Sequence, residues 1–269
     1  MKTTIIIPAR YGSSRFPGKP LHEIAGKTML RRVYEIALKA SNSIENVEII
    51  IATEDERICN HAEEIGARAV ITSDNCTTGS DRALLAIANL DYTPDIVINL
   101  QGDAPLTPPA FITAIAKSLQ INNKIDVATP VLQLSWQELD KLRDNKKTTP
   151  FSGTCAIAGK DDNAIWFSKN IIPAIRNEEK WRKTDGLSPV LKHIGLYGYR
   201  YSALKAFVKL PEGHYEKLEG LEQLRMLENN MKIKLVRVEN TDRPSTIGVD
   251  TLEDAKRVEE IINKYGEII

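Results

Sequence analysis

Short β-branched runs alternate with helical periods through the first half of the chain. Thr4–Pro8 (TIIIP) is an uninterrupted apolar run, the mark of a strand covered on both faces. Met29, Leu30, Val33, Ile36, Ala37 and Ala40 then recur at helical spacing. The same reading predicts strands at Val47–Ala52, Ala67–Thr72 and Asp95–Leu100. It predicts helices at Glu54–Ile65, Ser80–Leu90 and Pro109–Leu119, the first of them closed by Gly66 where a left-handed cap belongs. Strand–helix alternation with short links implies a mostly parallel sheet with right-handed crossovers. Ligands of such sheets sit beyond the carboxyl ends of the strands. The segments to inspect are therefore Pro8–Lys19, Thr53–Asp55, Ser73–Arg82 and Gln101–Pro105.

The second half is less regular. Thr154–Ala158 and Ala164–Ser168, with Asp161-Asp162-Asn163 between them, predict a β-hairpin. Ile194–Tyr199 and Lys232–Val238 are strand-like, Glu216–Glu228 is helical up to Asn229-Asn230, and Thr251–Lys264 is the last helix. Arg176–Leu187 is polar and reads as a loop. The expected fold class is α/β, a mostly parallel doubly wound sheet with a smaller inserted α+β lobe. One domain over residues 1–269 is expected, with a body at about 1–135 plus 231–269 and a lobe at about 136–230.

Composition narrows the classes. The 269 residues carry 36 Lys+Arg against 36 Asp+Glu, so no net field exists to hold nucleic acid or an anionic membrane non-specifically. With 42% hydrophobic and 27% charged residues the chain reads as a globule rather than a disordered segment. Cys59, Cys76 and Cys155 are too few and too scattered for a disulfide framework or a zinc site, and the odd count fits a reducing compartment. No apolar run approaches a membrane span, and Ile5–Ile7 before Pro8 is too short for a signal-peptide core. A cytoplasmic protein with no nucleic-acid or membrane partner is expected.

The most informative segment is Pro8-Ala9-Arg10-Tyr11-Gly12-Ser13-Ser14-Arg15-Phe16-Pro17-Gly18-Lys19-Pro20. Three cations, two hydroxyls and two glycines follow a strand. Glycines let backbone N–H groups turn inward as an anion nest, while Arg forks and a Lys point charge suit phosphate oxygens. The set fits a triphosphate. It is not a Walker A loop, because Gly12 to Gly18 is one residue too long and Pro20 stands where Ser or Thr would hold magnesium. No G-x-G-x-x-G supports a dinucleotide.

Two carboxylates stand out. Asp103, in Gln101-Gly102-Asp103 after DIVINL, is suited to hold Mg²⁺ against phosphates or to cap the next turn. Asp250 admits two readings from spacing alone: a metal ligand, or a cap of the last helix alongside Thr251 and Asp254. His193 and Tyr197, four apart in one strand-like run, are expected to point to one face. His193 also reads as a core histidine. Glu222 and Gln223 read either as surface polarity or as groups bordering the core.

The loop P-A-R-Y-G-S-S-R-F-P-G-K-P-L resembles the signature loop of the 3-deoxy-manno-octulosonate (Kdo) cytidylyltransferases, the CMP-Kdo synthetases, which are sugar nucleotidyltransferases. The resemblance continues through T-G-S-D-R (78–82), N-L-Q-G-D (99–103), W-F-S-K-N-I-I-P (166–173), K-H-I-G-L-Y-G-Y (192–199), L-E-Q-L-R (221–225) and V-D-T-L-E-D (249–254). It implies a fold of the nucleotide-diphospho-sugar transferase type and CMP transfer from CTP to the anomeric hydroxyl of an eight-carbon 3-deoxy-2-ulosonic acid. The product is a CMP-sugar for lipopolysaccharide or another surface glycan, and pyrophosphate leaves.

The resemblance also assigns roles. Asp103 and Asp250 become a paired Mg²⁺ site. Arg10, Lys19, Asp103 and Asp250 become the catalytic set. Pro8, Ala9, Arg10, Ser13, Arg15, Lys19, Thr78, Arg82 and Asp103 become nucleotide contacts, with cytosine read mainly by backbone groups of 8–13. Gln101, Lys169, His193, Tyr197, Glu222 and Gln223 become sugar-acid contacts, Lys169 standing where many relatives have arginine. A homodimer is implied as well. Two departures keep the sugar open: Ala104 replaces a usual glutamate, and Lys146–Gly153 lacks the N-P-N-x-V-K-V-like run. A modified acid such as 8-amino-Kdo, a silent nucleotide-binding homologue and a hexose 1-phosphate enzyme are the alternatives.

Overall fold

The computed structural model describes residues 1–12, 15–241, 243–244 and 248–268. Residues 1–122 follow the expected alternation: β1 (Thr3–Pro8), a short 3-10 turn at Lys19–Leu21, β2 (Glu23–Ile24), β3 (Lys27–Thr28), α1 (Met29–Ser41), β4 (Val47–Thr53), α2 (Glu56–Glu64), β5 (Arg68–Ile71), α3 (Gly79–Ala88), β6 (Ile96–Asn99) and α4 (Pro109–Ile121). Then come β7 (Val127–Ser135), α5 (Trp136–Thr148), β8 (Thr154–Ala158), β9 (Ala164–Ser168), α6 (Glu178–Thr184), β10 (Leu187–His193), β11 (Tyr197–Arg200) and α7 (Tyr201–Val208). The chain ends with α8 (His214–Glu219), α9 (Glu222–Glu228), β12 (Ile233–Val238) and α10 (Leu252–Tyr265).

Two compact units emerge. The first comprises Met1–Asn122, Leu196–Val208 and Thr241–Ile269, and the second Asn123–Gly195 and Lys209–Asn240. The first unit holds strands in the order β5-β4-β1-β6-β11. β1 is parallel to β4 and β6, β4 is parallel to β5, and β11 runs antiparallel to β6. Ile5, Ile6 and Ile7 are fully buried, as a strand covered on both faces requires. Chain order steps from β1 to β4 to β5 on one side and then jumps to β6 on the other. The β1–β6 junction is thus a topological switch point, where ligands collect in open α/β sheets.

The second unit holds β12-β7-β10-β8-β9, parallel only between β12 and β7. Its core gathers Leu134, Trp136, Leu139, Cys155 and Val190. The β8–β9 hairpin lies where its turn residues predict.

Several second-half elements differ from the expectation. The strand β7 and helix α5 were not anticipated, and β12 pairs with β7 in the second unit instead of belonging with the last helix. Arg176–Leu187 contains the helix α6, which buries no residue and so leaves no apolar period to read. Charge pairs hold it: Arg182 donates to Asp140 at 2.6 and 3.0 Å, and Arg143 to Glu178 at 2.7 Å. The run Glu216–Glu228 is two helices because Gly220 (φ +63) breaks it in the left-handed region. Ile194–Tyr199 is not one strand. β10 ends at His193 and β11 begins at Tyr197, so the shared-face argument for His193 and Tyr197 fails.

Candidate functional site

The segment after β1 is anchored by an apolar residue. Phe16 is buried with Ile24, Met29, Leu106, Val249, Ala255, Val258 and Ile262. Burying this one ring anchors Phe16 and packs it in one cluster with Val249, three residues before α10. Tyr11 supplies the second anchor: its carbonyl accepts from Gly18 N–H at 3.0 Å, and its ring lies under the Arg57 guanidinium at 3.4 Å. Gly102 permits the third, since a Cβ there would stand 2.6 Å from the Pro8 carbonyl oxygen. The ends of β1 and β6 approach too closely for any side chain.

These contacts frame a cleft of about 240 Å³ lined by Pro8, Ala9, Arg10, Arg15, Lys19, Thr78, Arg82, Gln101, Asp103 and Asp250, among others. All ten were candidates from the sequence, and Ser13 lies outside the described residues. Lys19 is the pivot. Its ammonium donates to Asp103 Oδ2 at 2.8 Å and to the Val249 carbonyl at 2.8 Å, and lies 3.6 Å from Asp250 Oδ1. Arg15 lies 3.2 Å from the same Asp250 oxygen. Val249 N–H donates to the Asp103 carbonyl at 2.8 Å, which brings the two aspartates to one ammonium.

The capping alternative for Asp250 resolves to its neighbours. Thr251 is the N-cap of α10 and Asp254 completes its capping box, which leaves the Asp250 carboxylate facing Arg15 and Lys19. Asp103 does not cap α4, whose N-cap residue is Pro108. Thr78 caps α3, its hydroxyl accepting from Asp81 N–H at 3.1 Å, and with Gly79 it presents the first turn of that helix to the cleft. The positive end of a helix dipole adds to the pull on anions there. Arg10 is exposed at the rim.

The donor set suits a hard divalent ion. Two carboxylates within reach of one ammonium offer oxygen ligands, and among the described residues no cluster of three or more His, Cys, Asp or Glu competes. Magnesium commonly takes one or two carboxylates and completes its shell with water and phosphate.

Glu54 is not among the residues the sequence singles out. It follows β4, one of the strand-end positions to inspect, but no motif marks it. Its Oε1 accepts from Tyr11 N–H at 2.9 Å and its Oε2 lies 2.8 Å from Arg82 Nη1. Cys76 and Thr77 also line the cleft unanticipated.

The remaining candidates divide between the units. Gln101 and Tyr197 belong to the first, where the Tyr197 ring stacks on Tyr199. Lys169, His193, Glu222 and Gln223 belong to the second. Lys169 follows β9. Its N–H donates to Glu219 Oε2 at 2.6 Å, and its carbonyl accepts from Lys146. Burial pushes the Lys169 ammonium below its usual pKa, with Glu219 opposing. His193 is buried with Nε2 2.9 Å from Thr129 Oγ1. Burial, with a smaller contribution from Lys169, pushes its imidazole from 6.5 down to about 3. Gln223 is buried, and among the described residues its Nε2 has no hydrogen-bond partner.

A switch-point cleft with a cationic loop, a helix N-terminus and an oxygen-only carboxylate pair offers groups chemically suited to a polyphosphate and a hard cation. A family model described as "Cytidylyltransferase" matches residues 4–233. The chain is 42% identical to a 3-deoxy-manno-octulosonate cytidylyltransferase of Maricaulis maris, with 100% of each chain covered. It is 40% identical to an 8-amino-3,8-dideoxy-manno-octulosonate cytidylyltransferase of Shewanella frigidimarina, over 96% of this chain and 98% of that one. The solved structure of a CMP:2-keto-3-deoxy-manno-octonic acid synthetase complexed with CTP superposes with a TM-score of 0.83 at 33% identity, covering 98% of this chain and 99% of that one. This chain belongs to the cytidylyltransferase family, a group of nucleotidyltransferases.

Proposed function

We propose that the protein transfers CMP from CTP to the anomeric hydroxyl of Kdo, releasing pyrophosphate. The observation that carries the reading is the meeting of Lys19, Arg15, Asp103 and Asp250 in one cleft at the switch point. Arg10, Arg15 and Lys19 bind the triphosphate and offset charge on the departing pyrophosphate. Arg82 holds the opposite wall. Pro8, Ala9 and the backbone beyond them meet the cytosine. Asp103 and Asp250 would hold Mg²⁺, and the chemistry that ion would supply is polarisation of the α-phosphate and easier ionisation of the attacking hydroxyl. The chain's own work is alignment, which supplies much of the catalysis in direct displacements.

The sugar acid falls, by resemblance, to Gln101, Lys169, His193, Tyr197, Glu222 and Gln223. Gln223 supports this part of the reading, because a buried amide without a partner costs stability unless a ligand completes it. Burial disfavours the charged form of His193, and the cation this reading sets against a carboxylate is Lys169. Homodimerisation and a cytoplasmic setting belong to the same proposal. Among the described residues no helix is long and apolar enough to cross a membrane.

The test is pyrophosphate release over a matrix of four nucleoside triphosphates and several ulosonic acids with Mg²⁺. Turnover with CTP and Kdo is expected. Binding of CTP without turnover on any acid would overturn the assignment. Ala104 and the Lys146–Gly153 segment, together with the Shewanella relative, favour 8-amino-Kdo as the second reading. A tenfold preference for that acid would select it. Light scattering at micromolar concentration tests the dimer, and a monomer mass would refute it.

A further inference from the structure

We propose that Glu54 is a positioning residue that sets the phosphate loop and Arg82 in a single arrangement for the nucleoside triphosphate. The inference rests on the cleft being the nucleotide site. One carboxylate serves both walls. Its Oε1 accepts from the loop backbone at Tyr11 N–H (2.9 Å), and its Oε2 faces Arg82 Nη1 (2.8 Å) from the wall formed by α3. Both side chains are largely withdrawn from water, 15% exposed for Glu54 and 5% for Arg82. The contact is an ion pair and not a directed hydrogen bond, since Glu54 Oε2 has no hydrogen-bond partner among the described residues, and at that burial an unmatched guanidinium is costly.

The turn bearing Glu54 is itself braced. Asp55 N–H donates to Thr53 Oγ1 at 3.2 Å, Asp55 caps α2, and Arg57 binds Asp55 at 2.6 Å while covering the Tyr11 ring. Tyr11 is therefore gripped twice from the same turn, by its amide and by its ring. Arg82 is held in two ways, by the charge of Glu54 and by the hydrogen bond its Nη1 donates to Thr72 Oγ1 at 2.6 Å. Thr72 in turn donates its own N–H to the Thr53 carbonyl at 2.8 Å. The circuit Tyr11–Glu54–Arg82–Thr72–Thr53 closes on one short turn after β4. Lys19, Asp103 and Asp250 form a separate charge cluster, so Glu54 has no part in holding the cation.

The experiment compares Glu54→Gln, Arg82→Gln and the double variant E54Q/R82Q in steady-state assays with CTP and Kdo, with CTP binding measured by calorimetry. Glu54→Gln keeps an acceptor for Tyr11 N–H and removes the charge facing Arg82. The expected result is a rise of roughly tenfold in KM and Kd for CTP, with KM for Kdo within twofold. The double variant should bind CTP no worse than R82Q alone, as coupled residues do. Glu54→Asp, which retains the charge, should recover part of the loss. A general structural role would move both KM values together and lower thermal stability without selectivity for CTP. That outcome overturns the proposal, as does an E54Q enzyme with unchanged CTP affinity, or losses that multiply in the double variant. If the wild-type chain binds no CTP, the nucleotide site itself is wrong and the proposal falls with it, a result distinct from normal CTP binding in E54Q.

Discussion

The Lys19 ammonium donates to Asp103 Oδ2 at 2.8 Å while lying 3.6 Å from Asp250 Oδ1. With Arg15 3.2 Å from the same Asp250 oxygen, the two carboxylates face two cations from the segment after β1. On the proposed assignment a divalent ion and Lys19 would compete for the same oxygens, and a triphosphate would give Lys19 somewhere else to go. Lys19→Met should therefore bind Mn²⁺ about tenfold tighter than wild type in the absence of nucleotide, ~1.4 kcal/mol. The same variant should bind CTP more weakly. Titration calorimetry checks both, and equal Mn²⁺ affinity would remove the competition.

Asp250 and Asp254 stand four residues apart and should respond differently to substitution. Asp254 closes the α10 capping box, accepting from Thr251 N–H at 3.0 Å, so Asp254→Ala should cost ~1 kcal/mol of stability and leave most turnover. Asp250→Asn should leave the unfolding midpoint nearly unchanged and lower turnover by roughly a hundredfold, ~2.7 kcal/mol in the barrier. Denaturant unfolding and pyrophosphate release on the same preparations separate the two.

Gly102 is required by close approach. Gly102→Ala drives a methyl group to 2.6 Å from the Pro8 carbonyl oxygen, and the backbone must part. The expected cost is ~1–3 kcal/mol, as for other overpacked positions. CTP affinity should fall with it if Pro8 and Ala9 line the nucleotide site as proposed. Urea unfolding with parallel CTP titration measures both.

His193 predicts an acid limb in the stability profile. Its imidazole takes a proton in the unfolded chain near 6.5 but in the folded chain only near 3. The unfolded state therefore binds more protons between those values. This contribution to stability is complete above about pH 6.5 and declines as the pH falls toward 3. His193→Gln should flatten that part of the curve. Urea midpoints at pH 7 and pH 5 for the two proteins provide the check, and equal slopes would count against a buried neutral histidine.

Local chemistry alone predicts much of the first unit and one hairpin of the second. The TIIIP run, the helical spacing from Met29 and the turn residues of the β8–β9 hairpin each state their conformation within a few residues. So does the cationic character of the loop after β1. What local pattern lacks is partnership. Lys19 meets the Val249 carbonyl across 230 positions, and Glu54 reaches Tyr11 across 43. No periodicity encodes such meetings. The choice of Thr251 rather than Asp250 as helix cap, the pairing of β12 with β7, and the charge-held helix α6 were decided in the same way. Hydrophobic period reports which face of an element is buried. Which distant backbone it is buried against is set only when the whole chain packs, and the cleft is assembled at that step.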